Sequence, residues 1–528
     1  MYRISEIRLP LDGTKDDLKK AAAKRLRVST RDIRSLKLVR KSVDARKKSD
    51  VHFICTVEAD CPVGSRPRGR NISEIRPYRY LLPGSRPISP RPAVVGFGPA
   101  GMFAALILAE AGQKPIVLER GSCVEIRRPE VERFRKTGHL NPQCNVQFGE
   151  GGAGTFSDGK LNTGTKDPRI RKVLEEYAAA GAPPEILYLA KPHIGTDRLP
   201  GVVRNLRRKI ETLGGKILFD TQMSDFEMRF GKLEGLKFRT RGGPLQTLKT
   251  QRAVLAVGHS ARDTFELLLS RGVPMESKPF SVGARIEHLQ KQIDRAQYGR
   301  YAGDPALGAA DYRLAVHLSN GRGVYTFCMC PGGTVVAAAS EEGRLVTNGM
   351  SPYARDGINA NSALLVGIGP SDFGGTGPLA GVEFQRRLEE EAFRLGGGNY
   401  RAPAQRVGDF LEGRPSVGFG CVRPTYPLGV TPCLLDDCLP AFVCDAMRKG
   451  IRAMDRRFSG FAYPDAVLTA VESRSSSPVR LTRGKNLECP AVPGLYPCGE
   501  GAGYAGGIVS SAVDGIRCAE EILKSSLS

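Results

Sequence analysis

The chain has 528 residues, 41% of them hydrophobic and 25% charged, which is long enough for several domains of roughly 100–200 residues each. No run of about 18 apolar residues occurs, which excludes a transmembrane helix. The first residues lack the apolar core of a secretory signal and the 13 cysteines are an odd number, so we expect reduced thiols in a cytoplasmic protein.

The net charge of +23 is unevenly distributed along the chain. Residues 1–90 hold 22 Lys and Arg against 10 Asp and Glu, a net charge of +12. Such a segment is compatible with a nucleic-acid or acidic partner or an anionic surface, and equally with a solvated basic face. No zinc-finger spacing or RNP-like aromatic motif supports the nucleic-acid interpretation.

Residues 1–60 predict a small basic α+β domain of the ferredoxin-like type. The stretches "YRISEIRL", "SLKLVRKSV" and "VHFICTVEA" alternate as strands do, and "DDLKKAAAKRL" has helical spacing. Residues 61–91 are rich in Pro, Gly, Ser and Arg and show no periodicity, which predicts a linker.

Residues 92–265 predict the first part of a cofactor-binding domain. The stretch "PAVVGFGPAGMFAALILAEAGQKPIVLERG" indicates strand, glycine turn, helix and strand, with G-x-G-x-x-G from Gly96 to Gly101 and an acid, Glu119, at the end of the second strand. The glycines allow a tight turn and close approach to a pyrophosphate at the helix N-terminus. A carboxylate at Glu119 suits ribose hydroxyls, which favours FAD or NAD over NADP. The alternative is an ordinary βαβ unit with a glycine turn.

Residues 471–528 favour FAD over NAD. The stretch "GLYPCGEGAGYAGGIVSSAVDGIRCAEEIL" indicates a last strand, a glycine turn and a helix of the kind that closes over a flavin. Glu500 is placed to bond a ribityl hydroxyl or reach towards the pyrophosphate, and the N–H groups of Gly506–Ile508 to face N1 and the C2 carbonyl of the flavin. A glycine-rich helix cap without a ligand is the alternative. The cluster "QFGEGGAGTFSDGKLNT" predicts a loop along the isoalloxazine ring.

These motifs predict the set of cofactor-binding residues: Gly96, Gly98, Pro99, Ala100, Gly101, Glu119, Arg120, Arg127, Gly151, Gly152, Thr155, Phe156, Ser157, Gly258, Gly499, Glu500, Gly506, Gly507 and Ile508.

The chain resembles the bacterial and plastid FAD-dependent dehydrogenases of the NAD(P)/FAD-dependent oxidoreductase clan. The matching stretches include "GFGPAGMFAAL", "NVQFGEGGAGTFSDGKLNT", "ESRSSSPVR" and "GEGAGYAGGIVSSAVDGI", and the resemblance covers nearly the whole chain. It implies non-covalently bound FAD, redox activity and a second domain inserted into the FAD domain, here residues 266–470, but no particular substrate. The Arg- and Pro-rich linker departs from the family pattern.

Other redox motifs are absent from the sequence. There is one convincing dinucleotide fingerprint, whereas glutathione-reductase-type enzymes carry a second one for NAD(P)H. The chain has no Trp, which excludes the Trp-x-Trp motif of flavin halogenases. Cys328 and Cys330 flank one residue in a predicted strand, so their side chains should share a face, which indicates packing more than metal ligation. We predict no metal site.

Four polar residues are candidate catalytic groups. Lys160 ends the flavin-lining loop and is placed to stabilise charge on reduced flavin, and His193 is placed to act as a general acid or base. Glu472 and Arg474 precede a Ser-rich turn, where they either bind an anionic group or pair with each other.

The sequence therefore predicts an α/β fold: an FAD/NAD(P)-binding Rossmann-like domain with an inserted mixed-sheet α+β domain. The predicted function is FAD-dependent oxidoreduction, a hydride passing between flavin N5 and a small-molecule substrate, with NADH or NADPH as candidate donors. Two alternatives remain: an RNA-modifying or RNA-associated flavoprotein, and a non-catalytic FAD-containing binding protein.

Overall fold

The computed structural model describes residues 1–62 and 69–527. Residues 63–68 of the predicted linker and residue 528 of the predicted C-terminal segment lie outside the described residues.

The strands, numbered in chain order, are β1 (Tyr2–Leu9), β2 (Ser35–Asp44), β3 (His52–Asp60), β4 (Ile72–Glu74), β5 (Ala93–Val95), β6 (Ile116–Leu118), β7 (Lys216–Leu218), β8 (Thr221–Arg229), β9 (Lys232–Thr240), β10 (Leu245–Lys249), β11 (Ala253–Leu255), β12 (Met275–Ser277), β13 (Phe280–Leu289), β14 (Ala315–His317), β15 (Gly323–Cys330), β16 (Thr334–Ala337), β17 (Thr347–Met350), β18 (Asn359–Ile368), β19 (Ala402–Arg406), β20 (Val430–Pro432), β21 (Val467–Glu472), β22 (Val479–Leu481) and β23 (Leu495–Pro497). The α-helices are α1 (Lys15–Leu26), α2 (Pro99–Glu110), α3 (Val124–Thr137), α4 (Ile170–Ala179), α5 (Leu199–Thr212), α6 (Arg262–Ser270), α7 (Gln290–Tyr298), α8 (Ala380–Leu395), α9 (Val407–Glu412), α10 (Ala441–Asp455) and α11 (Ile508–Ser525).

The N-terminal sheet has the strand order β2-β3-β1-β4, and its neighbouring strands are antiparallel. Helix α1 connects β1 to β2 and begins with a capping box in which Thr14 and Asp17 bond each other's backbone N–H groups. Strand β4 lies inside the segment predicted to be an aperiodic linker, so that prediction was wrong for Ile72–Glu74. The reason is that β4 pairs with Tyr2–Ile4, an edge that the local sequence does not reveal.

A five-stranded parallel sheet, in the order β23-β11-β5-β6-β7, carries the predicted dinucleotide fold. Helix α2 is buried on almost all sides, which explains why its sequence is apolar throughout. Helix α11 packs closely on α2. A Cβ at Gly515 would lie 2.0 Å from the carbonyl oxygen of Ala100, so glycine allows this close approach. A three-stranded antiparallel sheet, β8 to β10, precedes β11, and the sequence reasoning did not predict it.

A seven-stranded mixed sheet, in the order β14-β15-β18-β13-β21-β19-β20, forms most of the predicted inserted domain. Its strand β21 continues two residues past the predicted boundary at residue 470. Strands β13 and β18 pair antiparallel over their full ten residues and are almost completely buried. The last pair, β19 and β20, is parallel. Among the described residues, no helix combines the length and the apolarity that crossing a membrane would require.

A buried ionic cluster joins the parallel sheet to the mixed sheet. Glu389 on α8 accepts hydrogen bonds from Arg262, at the start of α6, at 2.7 and 2.9 Å, and from Arg474, just after β21, at 2.8 and 2.9 Å. Burial by itself raises the pKa of Glu389, but the two guanidinium groups outweigh it and hold that pKa well below its usual range. We call these three residues the brace.

We expect Glu389→Ala to lower the free energy of unfolding by about 3–5 kcal/mol, because Arg262 and Arg474 lose the buried carboxylate that they share and keep only Glu341. Urea unfolding followed by circular dichroism measures this loss. The control is Glu391→Ala on the same helix, where the carboxylate pairs with Arg394 at the surface and the expected loss is about 0–1 kcal/mol. Equal losses in the two variants would contradict the role of the brace.

Candidate active site

A cavity of about 1230 Å³ opens between the parallel sheet and the mixed sheet. Its walls come from the turns after β5, β6 and β11, from the glycine loop of residues 147–165, from β15, and from the segment that precedes α11. The cavity exceeds the range of about 300–1,000 Å³ that is usual for small-ligand pockets. Its size suits a long ligand together with a second, smaller molecule.

The turn after β5 can be built only with glycine at two positions. Gly96 has a φ of +94°, and a Cβ there would lie 2.3 Å from the carbonyl oxygen of Ala256. A Cβ at Gly101 would lie 1.9 Å from the carbonyl oxygen of Gly96. Helix α2 then begins at Gly98 without a side-chain cap, and Gly98 and Ala100 line the cavity. An uncapped helix N-terminus at a cavity is suited to bind phosphate groups.

Glu119 joins three backbone segments below this turn. Its Oε2 accepts a hydrogen bond from the N–H of Phe97 at 2.7 Å, and its Oε1 accepts from the N–H groups of Gly121 and Gly149, both at 2.9 Å. A carboxylate offers about four acceptor positions, so one position remains free. Glu119 also lines the cavity, and its predicted hydrogen bond to a ligand hydroxyl stays a prediction.

Arg127 does not line the cavity, which corrects its prediction as a cofactor contact. The side chain is fully buried, and its guanidinium donates to the carbonyl groups of Asn145, Val146, Glu150 and Gly152 at 2.6–3.0 Å. Its donors are therefore occupied by the loop itself. Arg127 shapes the glycine loop from behind, and its spacing in the sequence gave no sign of this.

Several other predicted contacts also lie behind the cavity wall. The Thr155 hydroxyl donates to the carbonyl oxygen of Glu150, and a Cβ at Gly151 would collide with that hydroxyl. Phe156 is buried, and the Arg127 guanidinium lies over its ring, 4.9 Å from the ring centroid. The N–H of Gly499 donates to Asp514 at 2.8 Å. The predicted residues that do not line the cavity are Gly101, Arg127, Gly151, Thr155, Phe156, His193 and Gly499.

The other predicted residues all border the cavity: Gly96, Gly98, Pro99, Ala100, Glu119, Arg120, Gly152, Ser157, Lys160, Gly258, Glu472, Arg474, Glu500, Gly506, Gly507 and Ile508. The sequence analysis missed Phe148, whose ring lies 4.3 Å below the Arg120 guanidinium on the cavity wall. An aromatic residue within a glycine loop carries no signal that separates a wall residue from a core residue.

The segment before α11 forms a second helix N-terminus at the cavity. Helix α11 begins at Ile508 without a side-chain cap, and Gly506, Gly507 and Ile508 border the cavity. Glu500 lies in the preceding turn. Burial raises the pKa of the Glu500 carboxyl to about 7, although the positive charge of Lys278 opposes that shift.

Lys160 is held at the cavity by an ion pair with Asp158 at 2.9 Å, and its ammonium donates to the carbonyl oxygen of Met329. Burial opposes the positive charge, but the neighbouring Cys330 sulfur and the Asp158 carboxylate outweigh it and raise the pKa of Lys160. The side chain is therefore a cation at neutral pH. This position suits the predicted stabilisation of negative charge in the cavity.

His193 is not a cavity residue, so its predicted role as a general acid or base at this site is corrected. Its ring stacks on Tyr353 at 5.4 Å, and its Nε2–H donates to the carbonyl oxygen of Tyr353 at 3.0 Å. Burial, and then the charge of Arg355, lower the pKa of His193. A backbone bridge between Lys160 and His193 explains their proximity without a catalytic role.

Arg474 lines the cavity, but its donors serve the brace. In addition to Glu389, its Nη1 donates to Ser260 at 3.0 Å and to Ser340 at 2.5 Å. Of the two alternatives left open by the sequence, the pairing of Arg474 with Glu472 is wrong. Glu472 instead lies 3.5 Å from Arg285, a buried residue of β13 that the sequence analysis did not single out.

Cys328 and Cys330 do not share a face, contrary to the prediction. A β-bulge shifts the register between Phe327 and Cys330, and Cys328 has a φ of +43°. One group of three potential metal ligands occurs in the part of the chain that the structure describes: Cys498, Asp514 and Cys518. Arg483 binds both carboxylate oxygens of Asp514 at 2.7 and 2.9 Å, so a guanidinium already provides the positive charge there.

The architecture and the cavity define a protein of the FAD/NAD(P)-binding Rossmann-like class. A family model described as "FAD-dependent protein, C-terminal domain-like" matches residues 279–475, and a domain of unknown function matches residues 1–60. A protein of Clostridium beijerinckii, described as an uncharacterized protein, is 51% identical over 529 residues, which covers 99% of this chain and 98% of that protein. The chain belongs to the same family as this Clostridium beijerinckii protein, and its residues 279–475 match the FAD-dependent C-terminal domain.

Solved flavoprotein structures overlap loosely with this chain. The flavin-dependent brominase Bmp2 is 14% identical with a TM-score of 0.39, covering 83% of this chain and 79% of its own. The 3-ketosteroid-delta4-(5alpha)-dehydrogenase from Rhodococcus jostii RHA1 is 13% identical with a TM-score of 0.35, covering 83% of this chain and 96% of its own. These TM-scores are too low to argue from. None of the matches named here supports the predicted nucleic-acid partner.

We expect Gly506→Val to raise the Kd for FAD by about tenfold or more without changing stability. No other atom lies within 4 Å of the position that a Cβ at Gly506 would take, so the added side chain would fill cavity space alone. Titrating apoprotein with FAD and following flavin fluorescence measures the Kd. Gly418→Val is the matched control, because Gly418 has the same free space outside the cavity. Unchanged affinity in Gly506→Val would contradict this assignment of the cavity.

Proposed function

We propose that the protein is an FAD-dependent oxidoreductase that binds FAD along this cavity and an organic substrate beside it. The observation that carries the proposal is the meeting of two uncapped helix N-termini, those of α2 and α11, at one cavity with glycine-built turns. Each N-terminus presents free N–H groups to an anionic or electron-rich group. Bound FAD would supply hydride transfer at flavin N5.

The residues present fit FAD by their chemistry. Gly98 and Gly152 come from separate loops, and a Cβ at Gly152 would lie 3.0 Å from the Cα of Gly98, so only bare backbone fits beside the helix start. We assign the start of α2 to the diphosphate and the free acceptor position of Glu119 to a ribose hydroxyl. We assign Glu500 to the ribityl chain and the start of α11 to the flavin ring.

The substrate side of the cavity is formed by β15 and by the end of β21. Lys160 holds a positive charge there and would stabilise an oxygen that becomes negative during the reaction. Arg474 keeps the wall in place through the brace. An adjoining cavity of about 700 Å³ shares Tyr325, Phe327 and Ser475 with the main cavity and offers further room for a substrate.

The decisive test is an anaerobic absorption spectrum of the purified protein before and after adding NADH and then NADPH. We expect a flavin band. Bleaching by a pyridine nucleotide would identify a reductase, and the acceptor would then be sought. A band that bleaches only with an organic metabolite would identify a dehydrogenase. No flavin band after reconstitution with FAD would overturn the proposal, and a band that no donor bleaches would favour the non-catalytic alternative.

We expect the affinity for FAD to rise about tenfold between pH 6 and pH 8. The pKa of Glu500 is about 7 without ligand, and a sugar hydroxyl that donates to its carboxylate favours the ionised form, so loss of the proton strengthens binding. Fluorescence titration across this pH range measures the change. Glu500→Gln should remove the pH dependence, whereas Glu488→Gln, whose carboxylate accepts from Tyr496, should retain it. A pH dependence that persists in Glu500→Gln would refute the assignment.

A further inference from the structure

Three buried polar atoms without a hydrogen-bond partner in the described structure lie close together at the substrate wall. They are Nη1 of Arg285, Oε2 of Glu472 and Nδ2 of Asn361. A buried polar atom left unpaired costs about 1–3 kcal/mol, and native proteins keep few of them. Glu472 borders the cavity, and because its Oε2 is turned to Arg285, its other oxygen, Oε1, is the one that can meet a bound molecule.

Arg285 is anchored on one side only. Its Nε donates to Oδ1 of Asn361 at 3.1 Å, and its Nη2 donates to the same oxygen and to the carbonyl oxygen of Cys328 at 3.0 Å. Its Nη1 points to Glu472 Oε2 at 3.5 Å, which is an ion pair without a hydrogen bond. A Cβ at Gly349 would lie 2.1 Å from Nη2, so Arg285 lies behind the wall that Gly349 forms. The Arg285 guanidinium therefore holds the Glu472 carboxylate in position without a hydrogen bond to it.

Among the charged groups near Glu472, Arg285 is the cation that lowers the pKa of its carboxyl. Arg474, two residues further along the chain, pairs with Glu389 and lies 3.7 Å from Glu341, so its charge is directed to those carboxylates. Burial raises the pKa of the Glu472 carboxyl, and the charge of Arg285 opposes that shift. A carboxyl group with a raised pKa holds a proton more readily than a solvated one, which suits a group that both accepts and donates a proton.

We propose that Glu472 exchanges the proton that a substrate loses or gains during hydride transfer, and that Arg285 is its positioning residue. This inference rests on the proposed function. When a substrate H–C–X–H is oxidised, its C–H bond breaks and the electron pair leaves with the hydrogen to the bound flavin, which is the oxidant. Its X–H bond breaks, the proton forms an O–H bond on the Glu472 carboxylate, and C=X remains. Reduction of C=X runs these transfers in reverse.

The test measures the reduction potential of the bound flavin against pH, from 5 to 9, by equilibrating the holoprotein with reference dyes. It needs no knowledge of the substrate. For the wild type we expect a bend, which is a change in the slope of the potential against pH, at the pH where the Glu472 carboxyl titrates. The bend should be absent in Glu472→Gln. Arg285→Met should move the bend upward by about one pH unit or more, because it removes the cation that favours the carboxylate.

Glu287→Gln is the matched control. Glu287 is a buried carboxyl of the same strand as Arg285, with a pKa raised by burial, but it accepts hydrogen bonds from Thr425 and Asn359 and does not border the cavity. Its variant should follow the wild-type curve. If Arg285→Met does not fold, Asn361→Ala removes the anchor of the guanidinium and should move the bend in the same direction.

Superimposed curves for the wild type and Glu472→Gln would overturn the role of Glu472. A bend that stays in place in Arg285→Met, or in Asn361→Ala where the former does not fold, would overturn the role of Arg285. These failures differ from failure of the proposed function, which would appear beforehand as wild-type protein without a flavin band.

Discussion

The carboxylate of Glu119 is the contact on which the floor of the cavity depends. It binds N–H groups from the turn after β5, from the turn after β6 and from the glycine loop. Strands β5 and β6 are neighbours in the sheet, whereas the glycine loop belongs to neither strand. Hydrogen bonds to an ionised acceptor are stronger than those between neutral groups. Together with the hydrogen bond from the N–H of Gly151 to the carbonyl oxygen of Phe97 at 2.8 Å, this carboxylate therefore fixes how far the glycine loop lies from the turn before α2.

Buried arginines bind the segments that form the walls of the cavity. Arg127, Arg262 and Arg285 are the largest side chains that are fully buried in the described structure. A buried cation is stable only where its donors are paired. Arg127 is paired by loop carbonyl groups and holds backbone in place, whereas Arg262 is paired by the carboxylates of Glu389 and Glu341. Arg262 and Arg285 each keep one nitrogen without a hydrogen bond, and the free Nη1 of Arg285 faces Glu472, a carboxylate that borders the cavity.

The basic N-terminal domain contacts both sides of the cavity rim. The N–H of Lys41 on β2 donates to the carbonyl oxygen of Tyr188 at 2.7 Å, and Arg300 donates to the carbonyl oxygen of Ser49 at 2.8 Å. Close to these contacts, Lys191 and Asp311 form an ion pair of 2.7 Å, and both residues border the cavity. The domain therefore lies across the two halves of the protein, and part of its position is fixed by backbone hydrogen bonds that do not depend on its charge.

The sequence by itself determined the features that act within one contiguous stretch: the glycine turn at Gly96–Gly101, the acid at Glu119 and the glycine-led start of α11. Steric and helix-end effects operate over a few residues, so spacing reveals them. Only the tertiary structure decided which charges meet. Arg474 pairs with Glu389, 85 residues away, rather than with its near neighbour Glu472, and Arg127 turned inward to its loop. Pairing across distant segments follows from how sheets pack and strands bulge, which local patterns do not encode.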